Sequence, residues 1–278
     1  MSQILGGKST RSSHNVLWFA FLLATGIAVY RVRPASAAPD QADVTTSFSI
    51  PESTVSLHEP VYIVFSIHNG LHESIRFDLG YDVKHNFNFT VIEPDGSVVR
   101  TPPTHMGSIV MGRWVDRAPV APGKTFSKRM LLNEWYEFRV PGNYVVEAKL
   151  GGRVQTLQGT PVRPAPPQDI PLHITPRDLE HLKSACEQLA DKAGEENARE
   201  ASDAAFALSY INDPVAVPYL GRILKKTAFG KEDAVKGLVR IGNAEAVRVL
   251  TSNSKGQDPQ LRIQIHNALK EIRSRSKK

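Results

Sequence analysis

Five of the nine histidines fall in one stretch of the chain: His58, His68, His72, His85 and His105, with Glu73, Asp78 and Asp82 among them. Imidazoles beside carboxylates raise a metal site, since nitrogen and oxygen donors hold zinc and related ions. The spacing argues against one. No pair shows a helical ligand motif, and His68 and His72, four apart, stand in a strand-and-turn context where they need not face the same way. These side chains read as solvent-facing or locally bonded, and no metal is expected. Cys186 is the single cysteine, so no internal disulfide forms. It lies between Leu182 and Leu189 in a helical pattern with no His or Cys at a motif spacing, and reads as a small buried apolar residue rather than a reactive thiol. The chain carries no G-x-S-x-G, H-E-x-x-H, P-loop or G-x-G-x-x-G motif. No catalytic residue and no cofactor is assigned, and the expectation is a protein that is not an enzyme.

Aromatic side chains are the other residues able to act. Residues 131–138 read Leu-Leu-Asn-Glu-Trp-Tyr-Glu-Phe, placing Trp135, Tyr136 and Phe138 beside Glu134 and Glu137. Two readings stand. Either Trp135 or Tyr136 plugs a core with its polar atom bonded to backbone, or the group forms an exposed edge for a partner. Trp114, among Met106, Gly107, Met111 and Gly112, sits in a loop with packing or contact duties. Trp114, Trp135 and Tyr136, with Tyr219 and Arg222 further on, are the candidate partner-binding residues. Asn88-Phe89-Thr90 matches a glycosylation sequon but falls within an expected strand.

The net charge of +6 does not mark a nucleic-acid binder. Lys8, Arg11, Arg31 and Arg33 supply four of those charges within the first 37 residues, which hold no acid. Most of the remaining excess lies in Lys270, Arg273, Arg275, Lys277 and Lys278 at the other end. That basic tail can meet acidic lipid or an acidic partner, while a solvated helix end whose cations complement the dipole accounts for most of it.

Residues 16–30 form an uncharged apolar run behind a basic leader. The run has the length of a signal-peptide h-region and falls short of the ~20 residues of a membrane span. Ala35-Ser36-Ala37 offers a small-x-small cleavage site, whereas Arg31 and Arg33 lie where neutral residues are usual. Residues 1–38 are therefore a cleaved signal peptide or an uncleaved anchor attaching the protein to the membrane through 16–30. Either way the protein is expected outside the cytoplasm, periplasmic or extracellular, in the second case held at the inner membrane.

From about residue 44 to 159 the apolar period is two. Val61, Ile63, Phe65 and Ile67 alternate up to the turn signal Asn69-Gly70, and Phe87, Phe89 and Val91 alternate before Pro94-Asp95-Gly96. Pro141-Gly142-Asn143 leads into Tyr144, Val146, Ala148 and Leu150 on one side of a strand. Strands and turns without helical pattern predict an antiparallel β-sandwich. Leu57-His58-Glu59-Pro60-Val61 opening the strand to Asn69, and Pro141-Gly142-x-Tyr144 opening the late one, resemble immunoglobulin-like modules of bacterial exported proteins, including the type named after a Bacillus intracellular proteinase inhibitor. The resemblance implies a fold and not an inhibitory activity.

Six prolines between residues 160 and 176 predict an extended linker. Beyond it, over 177–278, the period is helical and repeats. Leu208, Leu238 and Leu269 are 30 and 31 apart, Ile211, Ile241 and Ile272 repeat those spacings, and Val217/Val247 and Leu220/Leu250 are each 30 apart. Asp213-Pro214 suits a helix start, Asp as N-cap and Pro in the first turn. Residues 198–272, through Asp213-Pro214-x-Ala216-Val217 and Ile241-Gly242-Asn243-x-Glu245-Ala246-Val247, resemble the short HEAT-like repeats first associated with phycobilisome lyases. That resemblance implies stacked helix pairs and a binding surface, with no lyase chemistry carried over. The expected fold is multidomain, an antiparallel immunoglobulin-like β-sandwich followed by a short α-solenoid of HEAT-like helix pairs. The expected function is that of a non-catalytic scaffold for a protein partner, without nucleic acid. Proteinase inhibition or chaperone-like action by the sandwich is the alternative, and an enzyme of unrecognised type the third class.

Overall fold

The chain divides into two units, Met1–Gln41 and Ala42–Lys278. The computed structural model describes residues 44–77, 86–101, 119–163, 165–255 and 257–275, all within the second unit. The leader and its apolar run lie outside the described residues. Among the described residues no helix is long and apolar enough to cross a membrane.

Strands come first and helices follow. One sheet consists of β1 (Val44–Ser49), β3 (Tyr62–Asn69) and β7 (Thr125–Leu131), in the order β1-β3-β7 and antiparallel throughout. A five-stranded sheet orders β2 (Thr54–Ser56), β11 (Gln168–Thr175), β8 (Gly142–Leu150), β5 (Phe87–Ile92) and β6 (Val98–Arg100). A smaller sheet joins β10 (Pro161–Val162), β9 (Val154–Thr156) and β4 (Ile75–Phe77). Alternation places the apolar residues as their period demands: Ile63, Phe65 and Ile67 of β3 and Phe87, Phe89 and Val91 of β5 are buried. The two larger sheets face each other across this core. Phe65 meets Phe87 at 5.0 Å between ring centroids, and Phe48 lies against Phe65, Phe87 and Phe89. The Tyr144 hydroxyl, at the start of β8, donates to the Val140 carbonyl at 2.7 Å.

Two expectations are corrected here. Residues 160–176 are not a spacer, for they contain β10 and β11. β11 pairs with β8 over seven residues, from Gln168 opposite Ala148 to Ile174 opposite Gly142, and buries Leu172 and Ile174 in the core. Its proline is tolerated for a geometric reason. The His173 N–H points to the β2 side, where it donates to the Ser53 carbonyl, so position 171 two residues earlier faces the same way. β2 pairs only with 173–175, so the N–H that Pro171 lacks would have faced an unpaired edge. The second correction concerns direction: β2 runs parallel to β11, so the sheets are not wholly antiparallel.

The helices are α1 (Leu179–Lys192), α2 (Ala198–Ser209), α3 (Val217–Lys226), α4 (Lys231–Ile241), α5 (Ala244–Asn253) and α6 (Pro259–Arg275). Their starts are capped by Asp178, Asn197 and Asn243, each accepting a backbone N–H of the first turn. Asp213 caps a 3-10 turn, Pro214–Ala216, that leads directly into α3. Gly242 ends α4 in the left-handed conformation, at φ 61°. α2 packs on α4 and α4 on α6, while α1 packs on α3 and α3 on α5. Leu208, Leu238, Leu220, Leu250 and Ile211 are fully buried in the core these helices share.

Candidate functional site

Strands and helices meet at a polar joint. At its centre Asp213, 3% exposed, accepts two hydrogen bonds from the Arg177 guanidinium, at 2.5 and 3.0 Å, and a third from the Val215 N–H. Burial alone would raise this carboxyl's pKa. The Arg177 hydrogen bonds, the Val215 N–H and the guanidinium charge outweigh it and hold the carboxyl below its ordinary range. Glu59, 8% exposed, accepts the Ser56 N–H at 2.7 Å and faces His181 Nε2 at 2.9 Å. The Asp178 N–H donates to the Ser56 hydroxyl, and Asn212 donates to Glu137 at 2.6 Å. His58, next to Glu59, takes a positive φ of 77°. Three contacts, Glu59 to His181, Ser56 to Asp178 and Glu137 to Asn212, thus tie β2, the turn after it and the segment after β7 to the starts of α1 and α3.

Two arginine–tyrosine stacks accompany the joint. Arg129 of β7 lies 3.5 Å over the ring of Tyr62 on β3. Arg240 of α4 lies 4.1 Å over the ring of Tyr210, which also contacts Phe206 at 5.1 Å. Arg240 also donates to the Ser209 carbonyl. Burial raises the hydroxyl pKa of Tyr62 and of Tyr210, with Glu134 adding to the shift at Tyr210. Arginine and tyrosine are side chains enriched where proteins bind one another.

The candidate residues from sequence do not assemble into one site. Trp135 packs edge-on against Phe89 at 5.1 Å and lies against the strand core, its indole N–H buried without a partner. Tyr136 contacts Phe138 at 4.9 Å and Tyr144 at 6.3 Å, and its hydroxyl donates to Glu93. Burial, the hydrogen bond to Glu93 and its charge raise that hydroxyl's pKa. Tyr219 and Arg222 sit on α3 and turn toward α1, where Arg222 pairs with Asp191 at 2.8 Å and donates to the Glu187 carbonyl. Trp114, His85, His105, Asp78 and Asp82 lie outside the described residues. Among the described residues no group of three His, Cys, Asp or Glu side chains is placed to hold a metal. His68 bonds Thr125 and His173 bonds Asn143. Sequence reading missed the joint and the two arginine–tyrosine stacks, because their members come from segments up to about 120 residues apart and share no motif. Asp213-Pro214, read as a cap, was the one signal present.

The arrangement defines a class before any comparison: a β domain of three sheets tied to a set of packed helices. A family described as flagellar collar protein C, N-terminal domain, matches residues 50–163. The matched stretch takes in β2 to β10, less than half of the chain. No curated protein matches. Among solved structures, one described as the ApaA protein of Bordetella pertussis is 16% identical, covering 48% of this chain and 94% of its own at a TM-score of 0.29. The PapD-like domain 7 of human CEP192 is 9% identical, with 55% and 100% covered and a TM-score of 0.31. The alkylpurine DNA glycosylase AlkC of Pseudomonas fluorescens, solved with DNA containing an abasic site analogue, is 9% identical, with 49% and 31% covered and a TM-score of 0.26. Likenesses this low carry nothing about fold or function.

Proposed function

We propose that the protein is an exported, non-catalytic structural component of a protein assembly, of the flagellar-collar kind. The match of residues 50–163 to the collar protein's N-terminal domain carries this reading. The absence of a metal-holding group among the described residues is consistent with it but does not argue for it. In this reading the β domain is immunoglobulin-like, supported by facing sheets and the tyrosine whose hydroxyl bonds backbone four residues upstream. The helices are HEAT-like pairs: the layers α1-α3-α5 and α2-α4-α6 each pack in sequence, as stacked repeats do. The partner is another protein, and the collar likeness with the basic, apolar leader favours the periplasm. The stacks of Arg129 on Tyr62 and Arg240 on Tyr210 are the first contact surface for that partner.

The decisive experiment isolates flagellar basal bodies from cells carrying the tagged chromosomal protein and from a deletion strain. Cofractionation, with loss of density around the basal body in the deletion strain, is the expected result. A protein found wholly outside the basal-body fraction, with unchanged basal bodies in its absence, would refute the collar reading.

A further inference from the structure

The last helix pair carries a cluster of exposed basic side chains at the end of the stack. With 3.6 residues per turn, Arg262, His266, Lys270 and Arg273 of α6 fall within a sector of ~80°. All four are exposed. The opposite flank of α6 faces α4, since Arg275 donates to the Val239 carbonyl at 3.1 Å and Ile272 lies under Gly242. The basic flank therefore points away from the stack. On α5, Val249 faces α3 beneath Gly221, and the exposed Arg248 lies ~100° round from it. Lys255, just past α5, is exposed as well. Val247 and Leu269, half-buried against the helical core, form an apolar seam within this basic rim. No carboxylate among the described residues pairs with Arg248, Lys255, Arg262, Lys270 or Arg273. A polar cap needs charge for solubility; a cluster of basic side chains without acidic partners fits an acidic surface.

The same chain carries that surface at the other end of the stack. Residues 183–203, the α1–α2 hairpin, hold six acids against three bases. Glu187, Glu195, Glu196 and Asp203 are exposed and in no ion pair with a described residue. The β domain holds α1 at Asp178 and His181 and approaches α2 at Asp203, Tyr210 and Asn212, so Glu195 and Glu196, in the turn between α1 and α2, lie outside these contacts. We propose that copies of this chain associate head to tail, the basic end of one stack seating on the acidic α1–α2 tip of the next. Two different surfaces meet in such a contact, so it builds a ring if the rotation closes and a filament if it does not.

The proposal goes beyond the collar reading and fails independently of it, because it is tested on the purified full chain. Sedimentation velocity across concentration, at about 50 and about 500 mM salt as working limits of weak and strong screening, is expected to show association that salt reverses. Reversing the basic end (R262E/K270E/R273E) or the tip (E195K/E196K/E200K) is expected to weaken association ~10-fold or more. An equimolar mixture of the two variants restores it, since each then supplies the complement of the other, and this rescue also shows that both fold. Wild-type chain that stays monomeric, variants that associate like wild type, or a mixture without rescue overturns the proposal. So does a monomeric wild type that binds vesicles containing anionic lipid through the basic end, which would assign that end to a membrane.

Discussion

Asp213 does two things at once: it starts the turn into α3 and, through Arg177, ties that turn to the segment leaving the β domain. Its partner is half-exposed while the carboxylate is buried, so removal of the guanidinium leaves an acceptor short of donors. Arg177→Ala is expected to cost about 1–3 kcal/mol of unfolding free energy at pH 7, read from urea titrations. The pH dependence has a definite sign. A carboxyl whose folded pKa is depressed stabilises above its unfolded value, ~3.9, and loses that contribution as pH falls through the folded value. The gap between wild type and Arg177→Ala therefore narrows below about pH 4. Cys186 gives a second residue-scale test. Burial, with the nearby charges of Asp213 and Glu59, pushes its thiol up to about 12, so a maleimide at pH 8 labels it only once the helices unfold. Rapid labelling of the native chain would contradict the burial of α1.

Among the elements, α4 packs closely because it carries no side chain where it crosses its neighbours. A Cβ at Gly237 would stand 2.9 Å from Ser209 Cα and 3.0 Å from Leu220 Cδ1. An exposed helical glycine gains up to ~1 kcal/mol on replacement by alanine, yet here a backbone atom would have to move. Gly237→Ala is expected to destabilise by about 1–3 kcal/mol, and a thermal melt that rises instead would show that α2 and α4 are less tightly apposed. The 30-residue register was legible because each helix buries an apolar stripe, which repeats in sequence whatever it packs against. β11 was not legible. The prolines in and around it imitate a linker, and only the position of β2 shows that the edge at 171 has no donor to lose.

At the scale of the molecule, β11 makes the β domain depend on residues beyond its apparent end. A chain of residues 42–159 lacks the strand that pairs with both β8 and β2 and loses Leu172 and Ile174 from the core. It is expected to show no cooperative urea transition, whereas the chain through residue 278 unfolds sharply. A sharp transition in the short fragment would return 160–176 to the role of a spacer. Sequence by itself determined the order of strands before helices, the inward faces of β3, β5 and β8, and the cap at Asp213. Those follow from local periodicity and from side chains acting on their own backbone, within a few residues. Only the tertiary structure decided that Trp135 turns to the core, that Arg222 is spent on α1, and that Asp213, Arg177, Glu59 and His181 share one joint. Long-range pairing and burial set those outcomes, and neither leaves a period in the chain.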